Sequence, residues 1–282
     1  MDKQLKDFLN QKCIRIRYLT MDEIGELGVG HAGGSMSMVE ALAVLYYKHM
    51  NIDPNNPKME GRDRFVLSKA HAGPALYAAL ADKGYFPLEL LKTLNKPGTS
   101  LPSHADMVRT PGVDMTAGSL GQGLSCAVGI ALGSKLSGDG AWVHAMIGDG
   151  ETNEGQIWEA AMYAAHKKLD NMICFTDYNK MQLDGGTEEV SGLEPLADKW
   201  KAFGWNVYSV DGHDVEAIDD AVTDAKSKKG RPSMIILNTL KGKGVSFLEA
   251  KWMNNHNVNI SPEERSIALE ELKRGCEQCT RR

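Results

Sequence analysis

The chain has 282 residues, 42% of them hydrophobic and 24% charged, with a net charge of −5. That length suffices for one large, well-buried domain, and the acidic balance argues against nucleic acid or an anionic membrane as partner. The longest apolar runs, 41–47 and 126–132, are far too short to span a bilayer; the amino-terminal MDKQLKDFLN lacks the apolar core of a signal peptide, so a cytoplasmic protein is expected.

The patterns then alternate between helix and strand. Residues 38–50 read as a helix with Ser37 as N-cap, and RFVLS at 64–68 as a short strand. A helix is expected over 74–83, with Pro74 where a missing N–H costs nothing. The Gly- and Ala-rich stretch 120–136 reads as a closely packed helix. Strands follow at 141–147 (AWVHAMI), 172–177 (MICFTD), 206–210 and 233–239 (SMIILNT), with helices at 153–168, 193–203 and 214–228 between them. After Lys241 the pattern is irregular. Residues 263–274 read as a surface helix, within a carboxyl-terminal tail that begins at 257. Strands separated by helices are normally parallel and covered on both faces, so an α/β fold with a mostly parallel sheet is expected over 1–282 as one domain. Of the five cysteines, Cys13, Cys126 and Cys174 sit among apolar residues and read as buried small hydrophobes. Cys276 and Cys279 form a CxxC with no second ligand pair and no preceding strand, which fits an incidental feature of the tail better than a redox or metal site.

In such sheets ligands bind beyond the carboxyl ends of the strands. Gly148-Asp149-Gly150 follows the AWVHAMI strand directly, and Asn179 follows MICFTD. Each could be no more than a turn. If the two strands are neighbours, however, a carboxylate and an amide oxygen converge, and these are hard ligands suited to Mg²⁺ or Ca²⁺. Water, backbone carbonyl or phosphate oxygens would complete the shell. The glycines permit a phosphate to approach the backbone, and the helix expected from Asn153 aims its amino end at the same place.

The segment GDGETNEGQIWEAAMYAAHKKLDNMICFTDYNKMQLDG resembles the thiamin diphosphate signature, a Gly-Asp-Gly followed about thirty residues later by Asn after a strand. The resemblance is specifically to transketolases. GHAGGSMSM resembles their amino-terminal His-Pro-Gly motif, and DRFVLSKAHAGPALY their Asp-Arg-Phe-Val-Leu-Ser-x-x-His segment. TAGSLGQGLSCAVGIA and VDGHD also match, in the family's order, from about Met21 to His256. The fold implied is the thiamin diphosphate-binding fold, and the activity is transfer of a two-carbon ketol unit from a ketose phosphate to an aldose.

The resemblance implies roles residue by residue. Asp149, Asn179 and the backbone carbonyl of Met181 would hold Mg²⁺, for which Ca²⁺ could substitute. Gly150 would meet the diphosphate through its N–H, and His71 would reach the same region. Gly118 and Leu120 would line the aminopyrimidine and thiazolium side. Glu154 would join a buried acidic network linking subunits. His31, His71, His104 and His256 would face cofactor and sugar, where imidazoles can carry protons in both directions near neutrality. His31 and His104 lie in loops, and His71 starts a helix at the ligand end of the sheet; His256 stands in a local sequence unlike the family's. His144 reads as packed or hydrogen-bonded, and His213 as part of a structural turn. Ala32 and Ser119 replace family prolines without removing a ligand, and Lys180 replaces a second Asn.

The larger family carries a second domain that binds the aminopyrimidine and supplies an activating glutamate. The resemblance is to the stand-alone amino-terminal subunit of a split transketolase, which implies a two-plus-two (alpha2beta2) assembly with a separate carboxyl-terminal subunit. Other readings stay open: a 1-deoxyxylulose-5-phosphate synthase-like or 2-oxoacid dehydrogenase-like enzyme, a split transketolase for an unusual sugar phosphate or sulfosugar, or a non-catalytic scaffold. A Rossmann protein is the weakest of them, since 118–123 does not follow Gly-x-Gly-x-x-Gly.

Overall fold

The computed structural model describes residues 1–280, without the side chains of 252–253 and 276–280, so Cys276 and Cys279 lie outside the described residues. The chain opens with a long helix, α1 (Lys3–Leu27), that the sequence reading missed. Asp2 caps it by accepting from the Leu5 N–H at 2.8 Å, and Gly28 closes it in the left-handed region. Its buried face runs Leu9, Cys13, Ile16, Thr20, Glu23 and Ile24, a helical spacing diluted by polar residues. Next come β1 (Val29–Gly30), α2 (Ala32–Met36), α3 (Val39–Val44), β2 (Arg64–Leu67) and α4 (Gly73–Lys83). The second half alternates more regularly: α5 (Gln122–Ser137), β3 (Val143–Gly148), α6 (Gly155–His166), β4 (Met172–Tyr178), α7 (Thr187–Val190), α8 (Leu196–Ala202), β5 (Asn206–Asp211), α9 (Val215–Ser227) and β6 (Ser233–Asn238). The chain ends with α10 (Ser246–Ala250), β7 (Val258–Asn259) and α11 (Pro262–Thr280).

Five strands form one parallel sheet in the order β2-β3-β4-β6-β5. Alternate residues of each strand enter two separate cores, as the period of two requires. Phe65, Met146, Phe175 and Ile235 pack beneath α1–α4 and α9, while Val66, Ala145, Cys174 and Ile236 pack beneath α5, α6 and α8. The α/β architecture expected from the sequence is therefore present, with helices on both faces.

Four local expectations are corrected. The helix expected over 38–50 breaks into α3 and a wider π-type turn at Leu45–His49. Ser37 is no N-cap: its hydroxyl donates to the Gly34 carbonyl at 3.2 Å and to Asp177 at 2.6 Å. The helix expected as a surface element over 263–274 is longer, and α11 buries Ala268 and Leu272 against α1. Just before it, β7 pairs antiparallel with β1. Cys126 is only partly buried, whereas Cys13 and Cys174 are buried.

Candidate active site

The β3–β4 register pairs Gly148 with Asp177, so the residues after both strands leave the sheet side by side. The loops following β2, β3, β4 and β6, together with the loop before α2 and the segment around 256, enclose a cavity of about 390 Å³. All of the residues expected at the site line it: His31, His71, His104 and His256, then Gly118, Leu120, Asp149, Gly150, Glu154, Asn179 and Met181.

The floor is built from buried polar groups. Asp149 is 3% exposed, and its carboxylate accepts from the N–H of Gly150 at 2.8 Å and of Lys180 at 2.6 Å. Burial, and then the charge of Asp177, push this carboxyl up to about 7. A cation in the cavity would reverse that cost. Asn179 accepts from the Met181 N–H at 3.1 Å and donates from Nδ2 to Asp177 at 3.2 Å. Asp177 is fully buried and takes four donors: Ser37, Lys69, Asn179, and Thr239 at 2.5 Å. Lys69 also donates to the Gly34 carbonyl at 2.8 Å, which ties α2 to the floor. Glu151 accepts from Ser68 and from the N–H groups of Gly121 (2.8 Å) and Gly148 (2.9 Å), joining the 118–121 loop to the Gly-Asp-Gly turn.

Sequence reasoning missed Lys69, Glu151, Asp177 and Lys241. Lys241 lines the cavity just past β6 and is 5% exposed. Burial, and then Lys69, lower its ammonium to about 8. Among the described residues no carboxylate forms an ion pair with it, so it can meet an anion brought by a ligand. The signal was available: both lysines lie just beyond carboxyl ends of strands.

The histidines come from four separate loops and form one cluster. Ring centroids of His31 lie 5.4 Å from His71, 6.0 Å from His104 and 5.2 Å from His256, and His71 and His256 are 4.9 Å apart. Burial lowers His31, and lowers His71 well below the ordinary imidazole value. Burial, then Lys241, bring His256 down to about 4. These three rings are therefore neutral at pH 7, each able to accept one hydrogen bond and donate another. His144 is buried away from the cavity beside Phe175, and neither ring nitrogen has a hydrogen-bond partner among the described residues. His213 faces Glu40 at 3.2 Å and accepts from the Leu240 N–H at 2.8 Å, a structural position.

The rim differs. Glu154, expected in a buried network, is exposed in this chain, as are Gly118, His104 and Leu120. The buried glutamate of the Gly-Asp-Gly-Glu-Thr-Asn-Glu run is Glu151, because the 3₁₀ turn Gly150–Asn153 points it back under the loop.

Residues 9–273 match the family model described as "Transketolase, thiamine diphosphate binding domain". The chain belongs to the transketolase family. It is 58% identical over 97% of its length, and 99% of the relative's, to the 6-deoxy-6-sulfo-D-fructose transketolase subunit SqwG of Clostridium sp. (strain MSTE9). It is 39% identical to an apulose-4-phosphate transketolase subunit of Actinobacillus succinogenes, over 93% of this chain and 94% of that one. Among solved structures, transketolase of Campylobacter jejuni superposes with a TM-score of 0.88 at 30% identity, covering 99% of this chain and 46% of that one. Transketolase of Leishmania mexicana gives 0.85 at 29%, over 97% and 45%. The chain thus spans just under half of the solved transketolases it matches.

The cavity fits a thiamin diphosphate on its own chemistry. It offers a buried carboxylate, an amide and two lysines, suited to a divalent cation with a diphosphate, and beside them the neutral imidazoles of His31, His71 and His256. Among the described residues no helix is long and apolar enough to cross a membrane.

Proposed function

We propose that the chain is the diphosphate-holding subunit of a two-subunit transketolase whose ketose donor carries an anionic tail, a sulfosugar foremost and a pentose phosphate second. The observation that carries this reading is the single cavity in which a carboxylate–amide pair at two strand ends faces four clustered histidines. The sulfosugar preference is supported by the 58% identity to a sulfofructose transketolase subunit. In this reading Asp149, Asn179 and the Met181 carbonyl hold Mg²⁺, with Ca²⁺ able to replace it, and Gly150, Lys69, Lys241 and His71 face the diphosphate. Gly118 and Leu120 lie along the rings. When bound, the cofactor supplies the electron sink for breaking and making the carbon–carbon bond. His31, His104 and His256 orient the sugar, take a proton from its hydroxyl and return one to the new alkoxide. The neutral state of His31 and His256 at pH 7 suits both transfers.

A separate carboxyl-terminal subunit completes the site. The exposed Leu120 (38%) and Leu183 (65%) at the cavity mouth, with Met162 and Tyr163 on α6, support a covered surface there. Glu154 becomes buried in the resulting two-plus-two assembly. A cytoplasmic location goes with this reading. The test is to mix the purified chain with its partner and assay a donor panel of sulfofructose, pentulose phosphates and pyruvate. Ketol transfer from the sulfosugar that needs both subunits is expected. Full transfer by this chain alone would remove the partner from the account, and turnover of pyruvate would move the chain to another class of thiamin diphosphate enzyme.

A further inference from the structure

We propose that Asp177 is a positioning residue that sets the orientation of the Asn179 amide, so that its oxygen and not its nitrogen is presented to the metal. The inference rests on the cofactor reading above and extends it to a residue outside the expected ligand set. An amide nitrogen is a donor and cannot ligate a cation, so Asn179 serves only in one of its two orientations. Asn179 Nδ2 lies 3.2 Å from an oxygen of Asp177. Turning the amide over would bring two oxygens together, one of them ionised and fully buried, where no water can relieve the repulsion. Oδ1 is left on the side of the Met181 N–H, 3.1 Å away, with a lone pair to spare.

Asp177 can impose this because it is itself over-determined. Ser37 arrives from the segment between α2 and α3, Lys69 from beyond β2, and Thr239 from beyond β6. Three separate loops thus hold the carboxylate that holds the ligand. The same contact fixes the Lys69 ammonium beside the diphosphate end. Partners that orient a ligating side chain change metal affinity by about 10–100-fold when removed.

The experiment measures thiamin diphosphate binding by calorimetry as a function of Mg²⁺ or Mn²⁺, on the chain assembled with its partner subunit, alongside thermal unfolding. In Asp177→Asn the amide loses its orienting charge, and the metal concentration needed for cofactor binding rises about 10–100-fold. The double exchange Asp177→Asn with Asn179→Asp separates positioning from stability. A carboxylate at 179 presents oxygen either way round, so metal affinity recovers most of the loss, although Lys69 still faces a neutral residue and the melting temperature stays low. Unchanged metal dependence in Asp177→Asn overturns the proposal. So does an exchange that restores the melting temperature without restoring affinity. If the variants do not fold, the wild-type assembly crystallised with Mn²⁺ and the cofactor decides: the amide nitrogen still on Asp177 and its oxygen on the metal supports the proposal, and a nitrogen turned off Asp177 defeats it. Absence of any metal-dependent binding by the wild-type assembly is a different result, and it strikes the cofactor reading itself.

Discussion

The floor and the rim of the cavity are made differently. Beneath the Asp149 turn, Asp177, Lys69, Ser37 and Glu151 are buried and, with the half-buried Thr239, cross-linked by hydrogen bonds drawn from several loops. At the rim, Gly118, Leu120, Glu154 and His104 are exposed, and Leu183 stands in solvent. The floor is finished within one chain, as pre-organised binding of a charged group requires. In the proposed assembly the rim is finished by another surface that covers it.

The largest effect is expected where the floor loses a charge. Lys69→Met leaves Asp177 ionised, buried and without its cation, and should cost about 3–5 kcal/mol of stability. Chemical denaturation measures this; a loss below about 1 kcal/mol would show the floor to be looser than its contacts indicate. Lys241→Met should behave differently. Its ammonium carries a desolvation cost with no ion-pair partner among the described residues, so stability should hold or rise slightly while cofactor affinity falls about 10–100-fold, the worth of a hydrogen bond to a charged group. Equal affinity would place the diphosphate elsewhere.

Two glycines of α5 sharpen the same contrast. A Cβ on Gly123 would sit 2.6 Å from the Ser68 Cα, where the helix crosses the end of β2, so Gly123→Ala should cost about 1–3 kcal/mol through overpacking. A Cβ on Gly129 meets nothing within 4 Å, and Gly129→Ala should stabilise the isolated chain by up to about 1 kcal/mol. If that face of α5 is covered in the assembly, the same alanine weakens association with the partner, which sedimentation would detect.

The smallest effect concerns pH. Burial, then Lys241, bring His256 to about 4 in the folded chain against 6.5 unfolded, and burial lowers His71 in the same direction. Between 4 and 6.5 the unfolded imidazole binds more protons, so the stability His256 contributes is lost as pH falls through that window, while Asp149, held up to about 7, contributes in the opposite sense. Urea midpoints of the wild type and His256→Asn should therefore diverge, the wild type losing ground on acidification; parallel profiles would contradict the neutral cluster.

Much of this was legible in the sequence where the pattern is local. The alternation of apolar strands with helices pointed to the parallel sheet, and Gly148-Asp149-Gly150 with Asn179 marked two neighbouring strand ends. The histidine cluster was legible only through resemblance, because four loops far apart in sequence build it. Helix α1 escaped because Arg17, Thr20 and Glu23 interrupt its buried stripe. Lys69, Asp177 and Lys241 escaped because a charged residue read singly is a surface residue; its burial depends on partners that only the fold brings together. Glu154 and Glu151 could not be told apart in the sequence either. Three positions apart on a 3₁₀ turn, one is exposed and the other buried, and only the turn geometry distinguishes them.

The most direct test of the central claim is cofactor binding by the assembled wild-type and Asp149→Ala proteins, titrated with thiamin diphosphate at fixed Mg²⁺. The account predicts metal-dependent binding in the wild type and its near abolition in Asp149→Ala, with the fold intact by circular dichroism. Undiminished affinity in that variant would contradict it.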